Sequence, residues 1–366
     1  MANFDWHAER TDLSNITLLD RASGSEGIDL KAVRLYRFNH TRSQMVKYGL
    51  DAAIISDPVN IRYVTCTRNM QVFTAQNPPT RYLLLTITRS IMFEFSGCLH
   101  LAQGYETVDE VRTAKSVTST SSGAKIHDKE KKWAQEMADL IESVAGKRNG
   151  TVGLERLNAS VAITLKELGL NIVDGQQTIE LVRTFKSAEE VKCIVASLVQ
   201  QKSLWANSAM QSHPESESYV IPKNDLVALD TDVVGCHGHY SDFSRTFHAG
   251  PDPPTEEQKE LYRTALKQVQ HNMSILKPGL TFREYADLAW DIPEQYWTNR
   301  YFVSAHGCGL TGEYLYLYHR GDFPDTGYDG VIEPGMVLCM ESYIGTEGGT
   351  QGVKLKQQIF ITETGI

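Results

Sequence analysis

The chain has 366 residues, 41% of them hydrophobic and 22% charged, which is enough apolar side chain for two globular domains and far from a disordered composition. A formal net charge of -9, with no Lys/Arg run able to track phosphates, excludes a general nucleic-acid binder and favours a small molecule or peptide as substrate. The opening "MANFDWHAERTDLSN" lacks the basic-then-apolar layout of a secretory signal, and no apolar run approaches the roughly 20 residues that span a bilayer, so a cytoplasmic protein without a membrane partner is expected.

After a polar leader, "DLKAVRLYRFNHTRSQMVKYGL" has helical apolar spacing and stops at Gly49, followed by the strand "DAAIIS" and a turn at "DPVN". Strands "RYLLLTI" and "IMFEF" come next, then the low-complexity loop "SVTSTSSGAK" and a helix from about Lys129 to Val144, with Trp133 as core filler. "TVGLE", a helix around "ASVAITLKELGL" and the strand "NIVD" complete a second α/β alternation. At "LVRTFKSAEEVKCIVASL" a new helix begins, with Ser187 and Glu190 spaced as a capping box. The domain boundary falls just before it, giving an N-terminal α/β domain over 1–180 and a C-terminal domain over 181–366.

The second domain carries strand-like text at "LVALDTDVV", "YSDFSRTF", "RYFVSAHG", "MVLCMESYIG" and "GVKLKQQIFITETG". Between them lies a helical stretch from Thr255, which forms a second capping box with Gln258. Mostly antiparallel strands with helices on one face are expected, making the chain α+β overall. The six cysteines show no C-x-x-C pair and read as small buried hydrophobes of a reducing compartment.

The chemistry concentrates in "LDTDVVGCHGHYSDFSRTF". Alternation puts Asp230 and Asp232 on one strand face, and Asp242 returns opposite them across the "GCHG" turn. Unpaired, each carboxylate would cost several kcal/mol to bury, so a cation is expected among them. Asp230, Asp232, Asp242, His306 and Glu341 together are hard oxygen and imidazole donors suited to a divalent first-row metal. Taken alone, the D-x-D pair also fits a solvated edge strand, and His306 a hydrogen-bonded core histidine. His237 and His239 belong to the turn and His248 to the strand exit.

The segments "DTDVVGCHGHYSDFSRTF", "SAHGCGL", "IEPGMVLCMES" and "GVKL", in this order, resemble the pita-bread metallohydrolase superfamily of methionine aminopeptidase, aminopeptidase P, prolidase and the metal-free creatinases. "DPVNIRYVTC" looks like the N-terminal-domain signature of the creatinase and prolidase branch. More narrowly, "GCHGHYSDFSRTFHAGP", "LTFREYADLAWDIPEQYW" and "YHRGDFPDTGYDGVIEPGM" are similar to the bacterial dimethylsulfoniopropionate (DMSP) lyases of this superfamily. The resemblance implies a creatinase-like N-terminal domain, a C-terminal pita-bread domain with a curved, mostly antiparallel sheet, and a homodimer. It implies cleavage of a small zwitterion to dimethyl sulfide and acrylate by β-elimination, at a metal site matching Asp230, Asp232, Asp242, His306 and Glu341. Iron is the metal expected, zinc or manganese being alternatives, as one or two ions.

The sequence departs from the family at the sixth ligand position: "GVKLKQQIF" places Lys356 where the family has Glu. Its ammonium either fills one metal position or swings out to solvent. The stretch between Lys186 and Asp230 is also short beside the helix-and-loop region the family usually places there. For the sulfonium, Tyr301, Tyr314 and Trp297, with Tyr316 and Tyr318, offer cation-π surfaces or simply core. Glu313, the only carboxylate soon after His306, is the expected base, or else a surface turn residue. A peptidase using His319 or His239, metal-free hydrolysis and a non-catalytic relative are the other readings.

Overall fold

The computed structural model describes residues 27–69, 80–207 and 221–366; the shortened region before Tyr219 lies outside them. Two compact units divide the described chain between Arg183 and Thr184.

The first unit opens with helix α1 (Leu30–Lys47), capped by Asp29, whose carboxylate accepts from the Ala32 amide at 3.0 Å. Strand β1 (Ala52–Ile55) is buried throughout. The "DPVN" segment is a helix start rather than the expected turn. Asp57 caps α2 (Pro58–Thr65) by accepting from the Val59 and Asn60 amides, and Pro58 stands at a first-turn position where its missing N–H costs nothing.

Strands β2 (Tyr82–Thr86), β3 (Ser90–Glu94) and β4 (Glu110–Thr113) precede the long helix α3 (Ile126–Ala145), whose Trp133 is buried against Tyr82. The low-complexity loop carries a single helical turn at Ser119–Ser122, opened by the Thr118 hydroxyl. Then come β5 (Thr151–Leu154), α4 (Ala159–Glu167), β6 (Asn171–Asp174) and α5 (Gln176–Val182). The sheet order is β4-β3-β2-β1-β5-β6, with parallel pairs toward both edges and antiparallel pairs in the middle.

In the second unit, α6 (Ala188–Asn207) starts from the Ser187 box: the Glu190 carboxylate accepts from the Ser187 amide and the Ser187 hydroxyl from the Glu190 amide. Strands β7 (Asp225–Val234) and β8 (Tyr240–Ala249) form a hairpin that places Asp232 opposite Asp242 and Asp230 opposite Ser244. Helices α7 (Glu256–Ile275) and α8 (Phe282–Leu288) both begin with complete capping boxes. Strands β9 (Ala305–Cys308), β10 (Gly312–Leu317), β11 (Val337–Gly345) and β12 (Gly352–Phe360) make a wholly antiparallel sheet in the order β10-β9-β11-β12.

Alternation sorts this sheet into two faces. Leu338, Met340, Val353, Leu355 and Ala305 enter a core shared with Leu261, Ala265 and Val269 of α7 and Phe282 and Tyr285 of α8. The intervening His306, Glu341, Lys354 and Lys356 are consequently turned to the opposite face. The β7-β8 hairpin meets that sheet beside β12 through side chains: Thr246 Oγ1 donates to the Lys354 carbonyl, and Arg245 Nη1 to the Lys356 carbonyl at 2.7 Å.

Candidate active site

The hairpin and the sheet bring Asp230, Asp232, Asp242, His306 and Glu341 together. His306 Nε2 lies 3.0 Å from Asp242 Oδ2 and 3.1 Å from Glu341 Oε1. Asp242 and Glu341 are each 1% exposed, whereas the side chains of Asp230 and Asp232 are 39% and 57% open, so the cluster is closed on one side and reachable on the other. Leu229 beneath the D-x-D pair is buried, and Val227 and Val233 are half-buried. Donor atoms of Asp242, His306, Cys339 and Glu341 lie within 4.8 Å of one another, as do those of the three aspartates.

Lys356 does not swing out. It is 4% exposed, and its Nζ stands 2.7 Å from Asp242 Oδ1, 3.0 Å from Asp230 Oδ1, 3.4 Å from Glu341 Oε1 and 3.9 Å from Asp232 Oδ1. Lys354, two residues back on the same face, pairs with Glu341 Oε2 and lies 3.3 Å from the Tyr301 ring centre. Sequence reasoning missed Lys354, whose grip on Glu341 depends on the pairing of β12 with β11.

These charges set the protonation. Burial works to raise the Asp242 carboxyl, but the hydrogen bond from His306 and the Lys356 ammonium outweigh it and hold it down near about 2. Burial opposes protonation of His306, yet Asp242 and Glu341 carry it up to about 10. The Lys356 ammonium is held charged by Glu341, Asp242 and Asp230 against its burial. Tyr301 is pushed up to about 12, first by burial and then by Glu341. Cys339, which sequence reasoning did not place here, donates its thiol to the Asp242 carbonyl and is raised by burial, so it stays a thiol.

An aromatic shelf starts at His306. The Tyr316 ring is 6.4 Å from the imidazole, edge-on to Phe302 at 5.6 Å and to Tyr318 at 6.3 Å, and Tyr328 links Tyr318 to Tyr314. Phe302 and Tyr316 are 54% and 40% exposed. Of the expected rings, Trp297 already carries Arg300 over its face at 3.9 Å, and Tyr301 carries Lys354. Phe302 was missed because a lone phenylalanine in "RYFVSAHG" reads as strand core.

Glu313 is not a surface residue. It is 4% exposed, pairs with Lys186 at 3.0 Å and accepts from the Leu310 amide at 2.8 Å. A Cβ on Gly309 would meet its carboxylate at 2.4 Å, which explains the glycine there. His239 and His319 are both buried, donating to the carbonyls of Cys236 and Tyr301. Four of the six cysteines are buried and all are free, as expected for small hydrophobes.

A two-domain chain with hard donors converging on one face of an antiparallel sheet is the architecture of the pita-bread metallohydrolases. The chain belongs to metallopeptidase family M24, whose profile matches residues 157–363, and a creatinase/prolidase N-terminal domain matches residues 37–185. It is similar to the dimethylsulfoniopropionate lyase DddP of Roseovarius nubinhibens, 25% identical over 92% of this chain and 85% of that one. The DddP lyase of Roseobacter denitrificans is also 25% identical, over all of this chain and 88% of that one. Among solved structures, the prolidase of Thermococcus sibiricus matches with a TM-score of 0.68 at 15% identity, covering 90% of this chain and 94% of that one, and the prolidase of Pyrococcus furiosus with 0.63 at 20%, covering 88% and 97%. Among the described residues, no helix is long and apolar enough to cross a membrane.

Proposed function

We propose that the chain is a DMSP lyase, releasing dimethyl sulfide and acrylate by β-elimination, and that it works as a cytoplasmic homodimer with iron as its metal. The observation that carries this reading is the juxtaposition of a cation-bearing carboxylate cluster with an open aromatic shelf. DMSP has a carboxylate at one end and a soft sulfonium at the other, and the two surfaces match those ends. The full-length similarity to two DMSP lyases supports the same substrate.

The donor set fits a divalent ion. Asp242 Oδ2, Glu341 Oε1 and His306 Nε2 are spaced as donors sharing one first-row cation, and three protein ligands leave a position for substrate. When bound, the ion supplies Lewis acidity toward the substrate carboxylate. Around it, Lys354 holds Glu341 in place and Lys356 fixes Asp230 and Asp242. Phe302 and Tyr316 face the sulfonium, each such contact contributing about 0.5 to 2 kcal/mol.

A base must take the proton next to the substrate carboxylate while the C–H pair forms the double bond and the C–S pair leaves with sulfur. Asp232 takes this role in our reading, being the most open carboxylate of the cluster and the one furthest from Lys356. Glu313, bound to Lys186 and to the Leu310 amide, serves instead to hold the turn after the His306 strand. Headspace dimethyl sulfide from DMSP, with added iron or zinc, tests the proposal. Asp232→Asn should lower turnover while keeping the melting temperature, and Glu313→Gln should do the reverse. Silence from the native chain and from Lys356→Glu alike would sink the lyase reading. A peptidase reading needs histidines open to a metal-bound hydroxide, and His239 and His319 are buried against carbonyls.

A further inference from the structure

Four carboxylates, Asp230, Asp232, Asp242 and Glu341, face two ammoniums, Lys354 and Lys356, in one cluster. With His306 neutral, as a metal ligand must be, the fixed charge is two negative units. A single divalent cation cancels it; a second would leave two positive units beside Asp242, His306, Glu341, Lys354 and Lys356, which are buried.

Geometry agrees with the charge count. The Lys356 ammonium has three N–H donors, and three carboxylates lie within 3.4 Å of it: Asp242 Oδ1, Asp230 Oδ1 and Glu341 Oε1. It joins the hairpin aspartates to Glu341, as a bridging cation would. Beside it, His306 Nε2 converges with Asp242 Oδ2 and the shared Glu341 Oε1. The lysine cannot be withdrawn by a register slip, because Lys356 pairs with Glu341 across β12 and β11, and a shift by one residue would expel Leu355 from the core.

We propose that Lys356 takes the place of one metal ion, so that this chain holds a single divalent cation on Asp242, His306 and Glu341 beside a built-in ammonium. The proposal shares its site with the lyase reading and rests on it only for the use to which the ion is put.

The test is metal content per full-length chain after anaerobic loading with Fe(II) or Mn(II) and desalting, with Mn(II) electron paramagnetic resonance as a second readout. The native chain should retain one ion and give the six-line spectrum of isolated manganese; Lys356→Glu should retain two, with exchange-coupled signals. Two tightly held ions on the native chain, or none, would overturn the proposal whether or not the variant folds. Dimethyl sulfide release measured on the same samples separates the two ideas. One ion on the native chain with no product from either chain removes the lyase reading alone, and product with two ions on the native chain removes this inference alone.

Discussion

Both units bury carboxylates, and the site cluster of the C-terminal unit does so in a way opposite to the acids of the N-terminal unit. In the N-terminal unit each buried acid has its own donors. Glu94 pairs with Arg81 at 2.6 Å and accepts from Asn69, while Glu155 accepts from the Ser56 and Asp57 amides and from Asn60. In the C-terminal unit four acids converge on shared cations, and two of them stay open to solvent. Burial of charge therefore does not by itself mark a site. Convergence of like charges does, since mutual repulsion is tolerated only where a cation is held.

The sharpest way to break the convergent cluster is Asp242→Asn, which removes the acid nearest to both Lys356 and His306. Dimethyl sulfide release should fall on the order of 10³-fold, about 4 kcal/mol of transition-state stabilisation, with metal content lost alongside. Unchanged turnover would show that the cluster is not where the chemistry happens. The one-to-one pairs predict a different outcome. Arg81→Met leaves Glu94 buried with one neutral donor and should cost about 3 to 5 kcal/mol of stability in denaturant melts, with metal content intact. Loss of metal without loss of stability would erase the distinction between the two regions.

The difference also decides what a sequence can disclose. Asp230, Asp232 and Asp242 are legible because strand alternation and a short turn dictate their common face, and the period-two pattern of "MVLCMES" and "GVKLK" separates core from site positions. Arg81 and Glu94 are not, because antiparallel pairing of two buried strands brings them together, and the register of such runs is not written in alternation. The pairing of Glu313 is hidden for the same reason: its partner Lys186 lies 127 residues away. "DPVN" failed locally, since Asp-Pro serves a turn and a helix start equally well until the following amides are placed.

Glu155 offers a pH signature that belongs to the N-terminal unit alone. Burial, with the Asp57 carboxylate adding to it, raises its carboxyl from 4.5 to about 7 despite the amides that favour the charged form. The folded state therefore keeps a proton that the unfolded chain releases. Its contribution is full below pH 4.5 and is lost as pH rises through about 7. Urea melts between pH 5 and 8 should show the native chain losing roughly 2 kcal/mol more than Glu155→Gln. Equal slopes would mean that the backbone donors, and not burial, govern this acid.

The smallest effect is expected at the aromatic shelf, and it discriminates between substrate recognition and core packing. Phe302 is 54% exposed and stands edge-on to Tyr316, so its removal opens no cavity and should leave the melting temperature nearly unchanged. If its face meets a sulfonium, Phe302→Leu keeps the apolar bulk but loses the ring quadrupole, and about 1 kcal/mol of binding should disappear as a roughly five-fold rise in KM at unchanged kcat. A neutral thioether analogue of the substrate, used as a competitive inhibitor, should bind native and variant chains alike, because it presents no positive charge to the ring. An equal loss of affinity for charged and neutral ligands would assign Phe302 to shape alone. The sulfonium would then be met by Tyr316 alone, and the contrast between the two units would rest on the convergent acids with a single ring beside them.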